Sequence, residues 1–168
     1  MLEQNGLRVF ISYRREKGGV AYAHILNEQL SSLGISCFFD IRSMHDFSKD
    51  FEIEIEKNIR ISDYVIILLQ NGSLTEREHT DYFFKEIRFS KELGKKLLLL
   101  PIGNGFSWEA QQDVPEDVVY LKKLNLCMPL QVENLSESIY ALIGMMKEDK
   151  RNLHYLMLLK MRSSTAGN

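Results

Sequence analysis

Glu86 is the residue whose setting asks for chemistry. Read as a helix, the stretch from Asp81 to Pro101 carries Tyr82, Glu86, Phe89 and Leu93 at i, i+4, i+7 and i+11, flanked by Phe83 and Ile87. Lys85, Arg88, Glu92 and Lys95 fall on the opposite side. A carboxylate is costly to bury alone, so one placed in an apolar stripe is a candidate for acid–base or charge-stabilising work. The same spacing fits a glutamate at the stripe's edge that reaches solvent or pairs with an arginine, and the helix taken by itself favours that plainer reading. Two further charged groups, Arg14 and Arg15, follow the apolar run RVFISY. Arginine is the residue type that grips phosphate or carboxylate through a planar fork. No Cys/His cluster has metal-ligand spacing, and His24, His45, His79 and His154 are scattered. The chain has no G-x-G-x-x-G, no Walker loop and no G-x-S-x-G elbow.

The elements that must position these groups follow from periodicity. Arg8 to Tyr13 reads as a first strand and Arg14 to Gly19 as a basic, glycine-ended loop. A helix over 20–33 buries Ala23, Leu26, Leu30 and Leu33, with Gly34 as its stop. Ile35 to Phe39 is a second strand, and Asp40 to Asp50 is a polar loop with three apolar residues. Phe51 to Ile61 alternates like a strand yet places Phe51, Ile55 and Ile59 on one helical face. Helix is chosen, because parallel strands on either side need a crossover. Tyr64 to Leu69, YVIILL, is the clearest strand, and Gln70 to Thr80 is a long polar loop before the Glu86 helix. Gly94 ends that helix, and Leu97 to Ile102 is a fourth strand. A short helical piece near 116–124 and a fifth strand near Leu126 to Val132 follow. Asn134-x-x-Glu137 then opens a last helix in the manner of a capping box.

Five buried strands alternating with helices predict a parallel α/β sheet covered on both faces. In such sheets functional groups gather outside the carboxyl ends of the strands. That rule brings together Arg14 and Arg15, Asp40 to Phe47, Asn71-Gly72-Ser73 and the residues from Gly103 onward, with Glu86 near the start of its helix pointing to the same rim. The totals agree with one domain: 168 residues, 45% hydrophobic and 26% charged. Residues 7–148 form it, and 149–168 read as a helical extension with a disordered tail. A net charge of −2 gives no electrostatic case for nucleic acid or an anionic membrane. No apolar stretch approaches the roughly 20 residues of a membrane span, and Met1 to Gly6 is too polar for a signal peptide. Cys37 and Cys127, both on expected strands, read as core thiols of a reducing cytoplasm rather than a disulfide.

With these elements in order, the chain resembles Toll/interleukin-1 receptor (TIR) domains of the stand-alone bacterial kind. The matching pieces are Phe10-Ile-Ser-Tyr-Arg-Arg15, the run GVAYA from Gly19 to Ala23, Phe38-Phe-Asp40 and Arg42-Ser-Met44. They continue with Ser62-Asp63, Asn71-Gly-Ser-Leu74 and Asp81-Tyr-x-x-x-Glu86. They occur in the family's order and spacing over about three-quarters of the chain. The resemblance implies a flavodoxin-like fold of strand order 2-1-3-4-5. Asp40 to Asp50 would be the family's BB loop, in which Met44, Asp46 and Phe47 are the assembly residues. It implies cleavage of the nicotinamide–ribose bond of NAD, with Glu86 as the catalytic carboxylate and NAD as substrate rather than cofactor. Arg14 and Arg15 would hold the pyrophosphate; Tyr13, Phe39 or Tyr82 would stack on a ring; Asp40, Ser43 and Ser73 complete the substrate-binding set. No metal is implied. Two departures stand out: Tyr82 replaces a tryptophan common in the family, and the loop Asp40 to Asp50 contains no glycine.

Three functions compete. The first is an NAD-cleaving enzyme, hydrolase or cyclase, that self-associates and works in bacterial immune signalling or antiphage defence. The second is an adaptor TIR domain without activity, against which Glu86 speaks. The third, a receiver- or flavodoxin-like binding module, lacks a phosphoacceptor carboxylate pair after the first strand. A chain that starts at Met1 with no fused receptor would take its signal from, or send it to, a separate sensor or effector protein; Leu153 to Met161 leaves room for a piece of a longer protein.

Overall fold

Tyr64, Ile66 and Leu68 pack to one side of the central strand, and Val65, Ile67 and Leu69 to the other. A strand's side chains alternate, so a run apolar at every position must be covered on both faces. The structure, a computed structural model, describes residues 6–16, 18–39, 49–77, 81–103 and 105–148. Its elements are β1 (Arg8–Ser12), α1 (Gly19–Ser32), β2 (Ser36–Phe38), α2 (Lys49–Ile61), β3 (Tyr64–Leu69), α3 (Tyr82–Glu92) and β4 (Lys96–Pro101). Short 3-10 helices at Glu116–Lys123 and Val132–Asn134 lead into α4, residues 135–148. The strands are parallel, in the order β2-β1-β3-β4.

The expected fifth strand is reduced to two isolated parallel bridges beside β4, Leu99 with Leu126 and Ile102 with Leu130. The Cys127 amide donates to the Leu99 carbonyl and the Leu130 amide to the Pro101 carbonyl, each at 2.8 Å. A regular parallel ladder would take the second bond from residue 129. That residue is Pro129, which has no N–H, so the next residue supplies the bond and the register slips by one. The 2-1-3-4-5 arrangement is thus kept in space while its last member fails as a strand.

One layer of core joins α1 and α4 to the sheet through Val9, Ile11, Leu26, Leu30, Leu142 and Met146. The Tyr64 hydroxyl donates to the Met146 carbonyl at 2.9 Å and pins the far end of α4. The other layer joins α2, α3 and the 116–123 turn through Phe10, Phe51, Ile55, Ile59, Phe84, Ile87 and Leu121. Phe51, Ile55 and Ile59 are the buried face of α2, so the helical reading of that ambiguous stretch holds. At the start of α4, Asn134 Oδ1 accepts from the Ser138 hydroxyl at 3.2 Å, so its side chain engages the residue after Glu137. Cys37 and Cys127 are free thiols, as expected. The expectations for 149–168 lie outside the described residues. Among the described residues no helix is long and apolar enough to cross a membrane.

Candidate functional site

Helix α3 starts where Asp81 ends the loop. Asp81 adopts an extended backbone, and its Oδ1 accepts from the Phe84 amide at 3.4 Å while Oδ2 accepts from the Arg77 amide at 3.0 Å. This is the N-cap role that suits a short acidic side chain. From that start Phe83, Phe84, Ile87 and Ser90 face the sheet, while Tyr82, Phe89 and Leu93 are half-buried. The sequence stripe therefore lies one step round from the most deeply buried face. A helix wedged against both a sheet and a neighbouring helix buries a broader arc than one stripe describes.

Glu86 sits where the two arcs meet and is 7% exposed. Its Oε2 accepts a hydrogen bond from the hydroxyl of Ser12, the wholly buried last residue of β1. Its backbone carbonyl accepts from Ser90 Oγ at 2.6 Å. In front of it opens a cleft of about 320 Å³ between α2 and α3, walled by Ile55, Ile59, Tyr82 and Phe89. The Tyr82 ring stands edge-on to Phe51 at 5.3 Å. Lys85 crosses the cleft mouth to Glu52, with N···O 2.6 Å, and lies 4.9 Å over the Tyr82 ring. The Glu52 bond holds the Lys85 ammonium above its ordinary pKa. Arg88 also lines the cleft but is engaged by Asp117 at 2.5 Å and Glu76 at 2.7 Å, which push its pKa up. A nearly buried carboxylate in a cleft lined by both apolar and charged side chains is suited to stabilise positive charge developing on a bound molecule.

Arg14, 9% exposed, is committed inside the chain. Nε donates to the Ser73 carbonyl at 2.9 Å, Nη2 to the Thr75 carbonyl at 3.0 Å and Nη1 to Asp81 at 2.6 Å. Its guanidinium lies 4.6 Å from the Phe83 ring centroid and 5.2 Å from that of Phe84. Burial lowers its pKa, opposed by the bond to Asp81. Arg14 thus ties the end of β1 to the β3–α3 loop and the first turn of α3, a different task from holding a pyrophosphate. Ser73 is buried in the turn, where its Oγ accepts from the Gln70 amide at 3.3 Å. Arg15 is half-buried after β1.

Of the ring-stacking candidates, only Tyr82 shares the cleft with Glu86. Tyr13 and Phe39 meet edge to face at 6.2 Å on the α1 side, Tyr13 in the core and the half-buried Phe39 packed against it. Alternation explains it: Ser12 faces α3, so the next residue, Tyr13, faces α1. Asp40, Ser43, Met44, Asp46 and Phe47 lie outside the described residues. Sequence reading gave no role to Ser12 or Asp81. The available signals were a hydroxyl on an otherwise apolar strand face, and an acid three residues before the amide it caps. Among the described residues no group of three His, Cys, Asp or Glu could hold a metal.

An open parallel sheet with helices on both faces, and a buried carboxylate in the cleft between two of them, defines a flavodoxin-like α/β domain. Within that class the chain belongs to the TIR domain family, whose model matches residues 9–122. Among solved structures it is similar to the TIR domains of the activated Roq1 resistosome that directly recognises the pathogen effector XopQ. The identity is 13% over 82% of this chain and 81% of that one, with a TM-score of 0.49. It is also similar to a prokaryotic SEFIR domain, at 16% identity over 82% and 96% of the two chains and a TM-score of 0.46. A 2-desoxiribosyltransferase from Leishmania mexicana matches at 15% identity over 56% and 64%, with a TM-score of 0.43.

Proposed function

We propose that this TIR domain cleaves NAD at the nicotinamide–ribose bond, with Glu86 as the catalytic carboxylate, and that it acts in cytoplasmic immune signalling of the antiphage kind. The observation that carries the reading is Glu86 itself, almost wholly buried yet lining a cleft beside the aromatic face of Tyr82. The chemistry suits one acid. Nicotinamide in NAD is already cationic, so the C1′–N bond breaks with its electron pair going to the ring nitrogen and needs no proton donor. The ribose is left as an oxocarbenium ion, which Glu86 stabilises while accepting hydrogen bonds from ribose hydroxyls. Water then attacks C1′ and loses a proton, giving ADP-ribose; an adenine nitrogen or another nucleophile in its place gives a cyclic or conjugated product. Arg15 is the remaining arginine of the pair for the diphosphate.

Glu86→Gln tests the assignment, because the amide oxygen still accepts from Ser12 while the charge is gone. Nicotinamide release from NAD by the variant should fall by about 10²–10³-fold, with an unchanged thermal melt. Release at the wild-type rate would remove Glu86 from the chemistry. Mass spectrometry of wild-type products, with and without a crowding agent, separates hydrolysis from cyclisation. No product under any assembly-promoting condition would point instead to an adaptor that only assembles with other TIR domains.

A further inference from the structure

Ser12 is a polar residue where the fold alone would accept an apolar one. It follows Phe10 on the face of β1 that packs against α2 and α3, and it is completely buried. A hydroxyl taken out of water costs free energy unless it is bonded, and an alanine there would carry no such cost. The Ser12 hydroxyl donates to Glu86 Oε2, across 74 residues of sequence. Strand β1 is fixed between β2 and β3, so its last residue is a rigid mount. Glu86, by contrast, has three side-chain torsions and a cleft to move in.

We propose that Ser12 is a positioning residue for Glu86, its hydroxyl holding one carboxylate oxygen at the end of β1 so that the carboxylate keeps a single orientation toward the cleft. The proposal rests on the reading of Glu86 as the catalytic group. Its consequence is electrostatic as well as geometric: a donor aimed at the ionised carboxylate favours that form, so removing it makes Glu86 easier to protonate. The other charged groups facing this site are Glu52 and Glu56 from α2, Lys85, Arg88 and Glu92 from α3, and Arg14. None of them changes between Ser12 variants.

The experiment compares wild type, Ser12→Ala and Ser12→Thr in two ways. In the pH profile of NAD cleavage, Ser12→Ala should lower kcat about tenfold with KM unchanged and move the acid limb upward by about one pH unit. Ser12→Thr, which restores the hydroxyl, should return the limb to its wild-type place. Independently, carboxyl-carbon NMR of glutamate-labelled protein, with the Glu86 signal identified by its loss in Glu86→Gln, should show a higher titration midpoint for Glu86 in Ser12→Ala. An unchanged Glu86 midpoint in a folded Ser12→Ala protein would overturn the proposal, whatever the activity. A wild type that cleaves no NAD would defeat the enzymatic reading alone, since the titration still reports whether Ser12 governs Glu86.

Discussion

The guanidinium of Arg14 lies 2.6 Å from the carboxylate of Asp81, with side chains only 9% and 4% exposed. The pair joins the end of β1 to the N-cap of α3, the helix that carries Glu86. Such a pair is weak evidence of net stability, but breaking it from one side leaves a buried charge without its partner, at about 3–5 kcal/mol. Arg14→Ala should therefore lower the urea-unfolding free energy by that amount. Asp81→Ala should cost as much, plus about 1 kcal/mol for the lost cap. The double variant should lose clearly less than the sum, because the two residues act as a unit. If Arg14→Ala kept full stability and raised only the KM for NAD, Arg14 would be a substrate ligand after all.

Two glycines should respond with opposite signs. A Cβ on Gly19 would lie 1.7 Å from the Arg14 carbonyl oxygen, a backbone atom that no side-chain rotation can clear. Gly19→Ala should force the β1–α1 loop off the strand and cost several kcal/mol, roughly the scale of overpacking or more. Gly144, inside α4, has open space around its Cβ position. Gly144→Ala should stabilise by up to about 1 kcal/mol through helix propensity alone. Thermal melts of both variants decide the pair.

The chain's periodicity carried most of the frame because β1, β3 and β4 are buried over most of their length and read as largely apolar runs. Glu86 was legible for the complementary reason: a charge inside an apolar stripe is a local anomaly, visible without neighbours. Ser12 and Arg14 were not legible in role, since a serine on a short strand and an arginine in a loop acquire meaning only from partners 74 and 67 residues away. The fifth strand misled because hydrophobic content marks burial, whereas one missing N–H at Pro129 decides whether a ladder continues. Tyr13 and Phe39 misled because proximity in sequence to the rim says nothing about which face a side chain takes.

The thiols give a pH prediction. Burial pushes Cys37 up to about 12 and Cys127 up to about 11, against about 8.5 for an unperturbed thiol. Between the unfolded and folded values the native state holds more protons, so the contribution is fully present below about pH 8.5 and is lost as pH rises through 11 and 12. Unfolding free energy measured from pH 8 to 11 should fall accordingly, and replacing both cysteines by alanine should flatten that slope. At pH 8 an aromatic disulfide reagent should label the native protein far more slowly than the unfolded chain. Rapid native labelling of Cys127 would contradict its burial.

The last prediction concerns assembly. Met44 and Phe47 are two of the three apolar residues in a mostly polar loop, and beyond that loop α2 exposes Ile53 at 63% and Ile61 at 41% of their surfaces. Scattered exposed apolar residues are ordinary on a protein surface, but here they belong to the same loop-to-helix segment that leads to one wall of the Glu86 cleft. If neighbouring copies meet through this segment, the contact would bear on that wall of the cleft, and turnover would depend on concentration. Specific activity toward NAD should then rise with protein concentration in parallel with the mass-average size measured by light scattering. Phe47→Ala and Ile53→Asp should both flatten that rise, and Ile53→Asp, at an exposed position, should leave the unfolding free energy within about 0.5 kcal/mol of wild type. Concentration-independent turnover in a sample shown to be monomeric would place the complete site within one chain and leave the exposed isoleucines without a role in catalysis.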